Sequence, residues 1–199
     1  MAKNIKMTTP AGTARWPWLN KADTKFKPEG EYKVTLVVSK KEVKPLLDAA
    51  SKIVQEIMAN NKIKKRAPFP IVAETDDQGN ETGNMLVKCA VKCREGWDRK
   101  PKLFDAEGNR IDVKVGGGST IKVNVELYGW HNAALGAGVM LQPIAVQVLD
   151  LVEHEAGGSA ESFGFGKEKG FVGTKFDGSN TEETASETVS EESEDGDLF

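Results

Sequence analysis

The side chains in this sequence with the clearest chemical potential are aromatic rings set among bases. Arg15-Trp16-Pro17-Trp18 leads on to Lys21, Lys25-Phe26-Lys27 and Tyr32-Lys33. Lys62-Ile63-Lys64-Lys65-Arg66 precedes Phe69. The densest stretch holds Lys92, Arg94, Trp97, Arg99, Lys100 and Lys102, and Lys122, Tyr128, Trp130 and His131 follow. Cations in such numbers neutralise phosphates and release their counterions. Aromatic faces stack exposed bases, each contributing about 1–3 kcal/mol. Bases inside a duplex are unavailable for stacking, so the combination points to single strands. Each ring also has a plainer reading as core, which fits Phe26, Tyr32 and Phe104. Trp97 stands apart, in a loop of Gly, Asp and Lys with little apolar company. Trp16 and Trp18 flank a proline, which favours one packed ring and one exposed ring. Lys64-Lys65-Arg66 could equally be a solvated helix exit.

Other reactive groups are sparse. His131 and His154 are the only histidines, and His154 falls at the edge of the patterned region. Cys89 and Cys93 are four apart on an expected strand, hence on one face. They could ligate a metal with His131, but the spacing is no zinc pattern, and core cysteines are the better reading. Gly116-Gly117-Gly118-Ser119-Thr120 lacks the lysine and following helix of a phosphate loop and reads as a tight connection between strands. Asp76 and Asp77 lie in a Gly/Asn turn. The sequence therefore assigns no catalytic group, metal or cofactor, and the expectation is a binding protein and not an enzyme.

The elements that must position the rings read mostly as strands. Lys3 to Thr9, Tyr32 to Val38, Met85 to Cys93, Arg110 to Val115, Thr120 to Tyr128 and Val139 to Val152 are rich in alternating or β-branched residues, the last broken by Pro143. Ile121, Val123, Val125 and Leu127 should face a core together. One helix is expected at 40–60. Ser39 and Glu42 have capping-box spacing, Val43, Leu46, Leu47, Ala50, Ile53, Val54, Ile57 and Met58 form its apolar stripe, and Asn60-Asn61 ends it. Five or six antiparallel strands with one helix suggest an all-β, OB-fold-like barrel, although a sandwich would read much the same.

The chain's net charge of -3 misdescribes it. Of 30 acids, nine fall within 177–199, a stretch without Lys or Arg, so the first 176 residues set all 27 bases against 21 acids. A body of +6 and a tail of −9 suggest nucleic acid for the body and an interaction role for the tail, or else a solubilising extension. The expected organisation is a binding domain at 1–155, a flexible Gly/Phe linker at 156–176 and a disordered acidic tail at 177–199. No apolar run approaches the ~18–20 residues of a membrane helix. No signal-like stretch follows Met1, so a cytoplasmic protein is expected.

Three stretches resemble the single-stranded DNA-binding proteins of tailed bacteriophages, the OB-fold replication type. Lys25 to Leu36 is similar to that family's entry into its second strand, and Gly136 to Val148 to its last core strand. Glu192-Ser193-Glu194-Asp195-Gly196-Asp197-Leu198-Phe199 resembles its acidic, aromatic-ended tail. The resemblance implies coating of transient single strands in phage replication and recombination, in the cytoplasm of an infected bacterium. It also implies a tail that contacts the replicative polymerase and other replication proteins, and, by analogy with relatives, homodimers. On this reading Glu194, Asp195, Asp197, Leu198 and Phe199 form the partner-binding tail. An RNA-binding or RNA-chaperone OB domain shares the physical features, and a virion or inhibitor protein with a DNA-mimicking tail is a second alternative.

Overall fold

Alternation decides this architecture. Along the longest strands every second residue is apolar and buried, so the sheet must curl until those residues meet. The chain divides into two units, Met1–Gly158 and Ser159–Phe199. The computed structural model describes residues 5–25, 27–94, 96, 99–152 and 166, so both the expected linker (save Gly166) and the acidic tail lie outside the described residues.

The described elements are β1 (Ile5–Thr8), β2 (Gly12–Asp23), β3 (Glu31–Ser39), α1 (Lys44–Asn61), β4 (Ile71–Thr75), β5 (Glu81–Lys92), β6 (Lys102–Phe104), β7 (Thr120–Asn132) and β8 (Gly136–Asp150). Strands β2, β3, β5, β8 and β7 pair in that order, and Gly12 and Thr13 of β2 pair back onto Ile121 and Thr120 of β7. The five strands therefore close into a ring. Its one parallel seam is β5 against β8 at Cys89 and Leu141. This is the closed five-stranded barrel of the OB architecture. Strands β1, β4 and β6 continue its edges along β7, β5 and β8 respectively.

Inside the barrel Leu19, Val34, Leu36, Val87, Cys89, Val91, Ile121, Val123, Val125, Leu127, Leu141 and Val146 are almost wholly buried. The expected inward set of β7 is among them. Helix α1 adds Leu46, Ala50, Ile53 and Val54 to this core. It sits closely on β7 at Gly129, where a Cβ would come within 2.5 Å of Ile57.

Several expectations need correction. The Ser39–Glu42 capping box does not form: the N-cap is Val43, with no side-chain cap, and Pro45 in the first turn sets the start. Residues 111–114 form no strand, because Arg110 bridges Phe104 and Ile111 bonds Leu103, turning the segment into a short hairpin return. Pro143 does not break β8. The partner register slips between Asn124 and Val125, so a bulge absorbs the missing donor. The sheet is mixed where a wholly antiparallel one was expected, with β8 parallel to both β5 and β6.

Gly136, at the β7–β8 turn, has φ +96, and a Cβ there would lie 2.3 Å from the Lys65 carbonyl oxygen. Ala137 and Lys65 bond through their backbones at the same place. Gly136→Ala should therefore destabilise the fold by about 2–4 kcal/mol, combining backbone strain with overlap. A lowered urea midpoint at unchanged m-value checks this.

Candidate nucleic-acid interface

The outward residues of the barrel strands alternate with the core and line up across the ring. Register places Arg15 beside Thr35 and Thr35 beside Lys88, and in the next row Trp18 beside Lys33 and Lys33 beside Ala90. Across the Cys89–Leu141 seam the rows continue to Met140 and Gln142, which pair with Tyr128 and Glu126. Five strands thus present one face of mixed rings, bases and small polar groups.

Two open grooves lie on it. One, of about 500 Å³, is lined by Trp16, Trp18, Asp23, Lys25, Lys33, Thr35, Lys88 and Ala90. The other, of about 410 Å³, is lined by Lys92, Arg94, Arg99, Glu126, Tyr128, Met140 and Gln142. They share strand β5, so a chain crossing Ala90 and Lys92 would pass from one to the other.

Local backbone chemistry sets the rings. Between Arg15 and Trp18 the β2–β3 register shifts, and Trp16 takes φ +48, a left-handed conformation that bulky residues avoid. The bulge turns Trp16 (69 % exposed) and Trp18 (40 % exposed) both outward, onto one groove. The expectation that one of the two would pack is therefore corrected. A large ring held out by a strained backbone is spent surface unless it has something to bind. Tyr128, also 46 % exposed, faces the second groove.

Ion pairs brace the face. Arg15 Nη2 lies 2.5 Å from Glu74, whose buried carboxylate also accepts from Thr82 Oγ1 at 2.7 Å and Asn84 Nδ2 at 3.1 Å. These hydrogen bonds, together with the guanidinium, hold its pKa below the ordinary carboxylate value. Lys33 Nζ lies 2.6 Å from Asp23, which accepts the Lys25 N–H at 2.9 Å; both lower the Asp23 pKa. Lys27 pairs with Glu31. Arg99 donates to Gln142 at 2.7 Å and reaches Glu126 at 3.6 Å, so it is fixed over the second groove. Lys88, Lys92 and Arg94 make no ion pair with a described residue.

The sequence-predicted set divides as follows. Trp16, Lys33, Lys92, Arg94, Arg99 and Tyr128 come together on this face. Trp97 lies outside the described residues. Lys100 pairs with Asp112 at 3.7 Å and Lys102 sits on β6, at the barrel's flank. Lys122 is opposite Gln147, several pairs along β7 from Tyr128. Trp130 is packed over Gly138, where a Cβ would come within 2.5 Å of its ring, and its buried indole N–H has no acceptor among the described residues. The sequence reading placed Arg15 and Trp18 in its first aromatic and basic stretch without choosing them as contacts, and it missed Lys88. A strand reading of Gly12–Asp23 would have put Arg15 and Trp18 on this face, but Pro17 and the broken alternation concealed it. Burial pushes the Cys89 thiol up to about 12, so it stays protonated and unreactive. Cys93 follows the end of β5 and is half-buried. Among the described residues no cluster of three metal-ligating side chains occurs.

No protein-family model matches the chain. Over 194 residues it is 29% identical to the single-stranded DNA-binding protein of Enterobacteria phage T3, covering 85% of this chain and 83% of that one. Its fold is similar to the crystal structure of gp2.5, a single-stranded DNA-binding protein encoded by bacteriophage T7. The TM-score is 0.64 at 24% identity, over 79% of this chain and 97% of the other. It is also similar to the single-stranded DNA-binding protein from bacteriophage Enc34 solved in complex with ssDNA. There the TM-score is 0.54 at 16% identity, over 74% and 88% of the two chains. The resemblance read from three stretches of sequence thus extends to most of the chain and to its fold.

Glu74 has an acid-side signature. Its ordinary value is 4.5 and its folded value is lower, so its ion pair and hydrogen bonds stabilise the fold above about pH 4.5 and are lost as pH falls through the folded value. Thermal unfolding between pH 7 and pH 3 should show Glu74→Gln less stable at neutrality and with a shallower acid decline than the parent.

Proposed function

We propose that this chain binds single-stranded DNA with little sequence preference along the outer face of β2, β3, β5, β8 and β7. The observation that carries the reading is the pair of tryptophans held outward by the Trp16 bulge beside Lys33 and Lys88. The likeness to a phage single-stranded DNA-binding protein supports it. On this reading bases stack on Trp16, Trp18 and Tyr128, while Lys33, Lys88, Lys92, Arg94 and Arg99 follow the phosphates. The OB architecture directs ligands to this same surface, the face of its second and third barrel strands, here β3 and β5. Trp97, three residues after Arg94 in sequence, is assigned to the same path. The role is binding, without catalysis.

The acidic stretch 177–199 is proposed to compete with DNA for the basic face and to present Leu198 and Phe199 to replication proteins, the replicative polymerase among them. The setting is phage replication and recombination inside the infected cell. No helix among the described residues is long and apolar enough to cross a membrane.

Trp18→Ala should weaken binding to oligo(dT) by about 1–3 kcal/mol, as should Trp97→Ala, and Lys88→Gln should lower the salt slope by about 0.7. Fluorescence titration across a salt series reads both effects; unchanged affinity for Trp18→Ala with the fold intact would remove the first groove from the site. Matched DNA and RNA oligonucleotides separate DNA binding from the RNA alternative.

Removing 177–199 deletes nine carboxylates and should tighten oligo(dT) binding and steepen its salt dependence. Phe199→Ala should leave DNA affinity unchanged while weakening capture of the polymerase, as read in a pull-down.

A further inference from the structure

The first groove contains its own anion. Asp23 is the one carboxylate among the described residues that line it, facing Lys25, Lys33 and Lys88. Its side chain is almost wholly buried, whereas that of Lys33 remains 33% exposed. One carboxylate oxygen meets Lys33 Nζ at 2.6 Å, at the cross-strand position beside Trp18. The other accepts the backbone N–H of Lys25 at 2.9 Å.

An ammonium that neutralises a phosphate and an ammonium paired with a carboxylate use the same donors. Lys33 carries a single charge on a flexible stem, and while Asp23 holds it that charge is already largely neutralised and its position is set by the carboxylate. The groove that would seat a base between Trp16 and Trp18 therefore has Lys33, the cross-strand partner of Trp18, already engaged. Asp23 does not need Lys33 to stay in place, because the Lys25 amide holds its other oxygen. Glu74 differs: it lies outside the groove lining, and two neutral side chains besides Arg15 fix its carboxylate.

We propose that Asp23 is an internal stand-in for a DNA phosphate, holding Lys33 over the groove in the free protein and giving it up to the backbone of the bound strand. This rests on the single-strand reading above and adds a means of setting affinity. Each binding event exchanges one anion for another at Lys33, so the protein binds less tightly than its cations alone would allow. When the strand leaves, Asp23 recaptures the lysine and dissociation is assisted.

Asp23→Asn removes the charge while keeping an oxygen for the Lys25 amide, so the loop retains its anchor. Glu29→Gln, at an exposed position in the β2–β3 connection, is the charge-matched control. Affinity is measured for oligo(dT) and for inorganic polyphosphate, a probe without bases, with circular dichroism confirming the fold. Asp23→Asn should raise affinity for both probes about three- to fivefold beyond the control, as expected for freeing a partly exposed pair. In a Lys33→Gln background that excess should vanish, because the gain acts through Lys33. Equality of Asp23→Asn with Glu29→Gln for both probes, or an excess that survives Lys33→Gln, overturns the exchange. A gain with polyphosphate, when no variant binds oligo(dT), upholds the exchange and rejects the single-strand reading instead.

Discussion

The structure depends on a short closure. Two residues of β2, Gly12 and Thr13, pair with Ile121 and Thr120 of β7, and this contact turns a curled sheet into a ring. Gly12 is required there by space. A Cβ would come within 2.5 Å of Val38 Cγ1 and 2.7 Å of the Val37 carbonyl oxygen. Closure leaves the apolar half of every strand nowhere to go but inward, and it removes the open edges of the barrel strands at that point. It also fixes what faces out. Once the ring is closed, the outward residues of five strands occupy a lattice whose rows are set by register, and Arg15, Thr35, Lys88 and Tyr128 cannot be moved relative to one another without a slip that would expose the core.

On that lattice the bulge at Trp16 is the main departure from regularity, and it has a cost. A left-handed tryptophan and two exposed indoles run against both backbone preference and burial. The fold tolerates them because the flanking residues are fixed by stronger contacts. Ala14 bonds through its backbone to Ser119 and Gly118, Arg15 is held by the buried Glu74, and Leu19 is sunk in the core. Strand β4, outside the barrel, acquires a purpose in this light, since it supplies the carboxylate that anchors Arg15. The strain sits between anchors, at the place where a ligand can use it.

Much of the barrel was legible from alternation alone. Ile121, Val123, Val125 and Leu127 on β7, and the apolar stripe of α1, follow directly from period two and period 3.6. What alternation could not reveal was β2. Trp16-Pro17-Trp18 interrupts its pattern and Pro17 argues against a strand, while the pairing with β3 that accommodates the bulge cannot be read from sequence. The short strands β4 and β6 likewise exist only through their neighbours β5 and β8. Candidate site residues were legible as a class and not as individuals. Composition marks aromatics among bases, but only register separates Tyr128, which faces a groove, from Trp130 two residues later, which lies against Gly138. Trp97 was singled out by its polar surroundings and lies outside the described residues.

The charge of the face follows a logic that the total of +6 for the first 176 residues does not convey. Arg15, Lys27, Lys33 and Arg99 each have a carboxylate within the fold, whereas Lys88 in the tryptophan groove and Lys92 and Arg94 in the Tyr128 groove make no ion pair with a described residue, so each groove keeps a modest excess of positive charge. A face built for affinity alone would leave its cations free. Pairing them holds long side chains in defined positions at the expense of Coulomb attraction, and on the proposed reading it would leave the stacking rings a larger share of the binding energy. Stacking is indifferent to base identity, because every base has a π-face. In the proposed reading, a groove whose phosphate contacts are tempered by internal carboxylates and whose base contacts are made by indoles would grip any exposed strand and release it again.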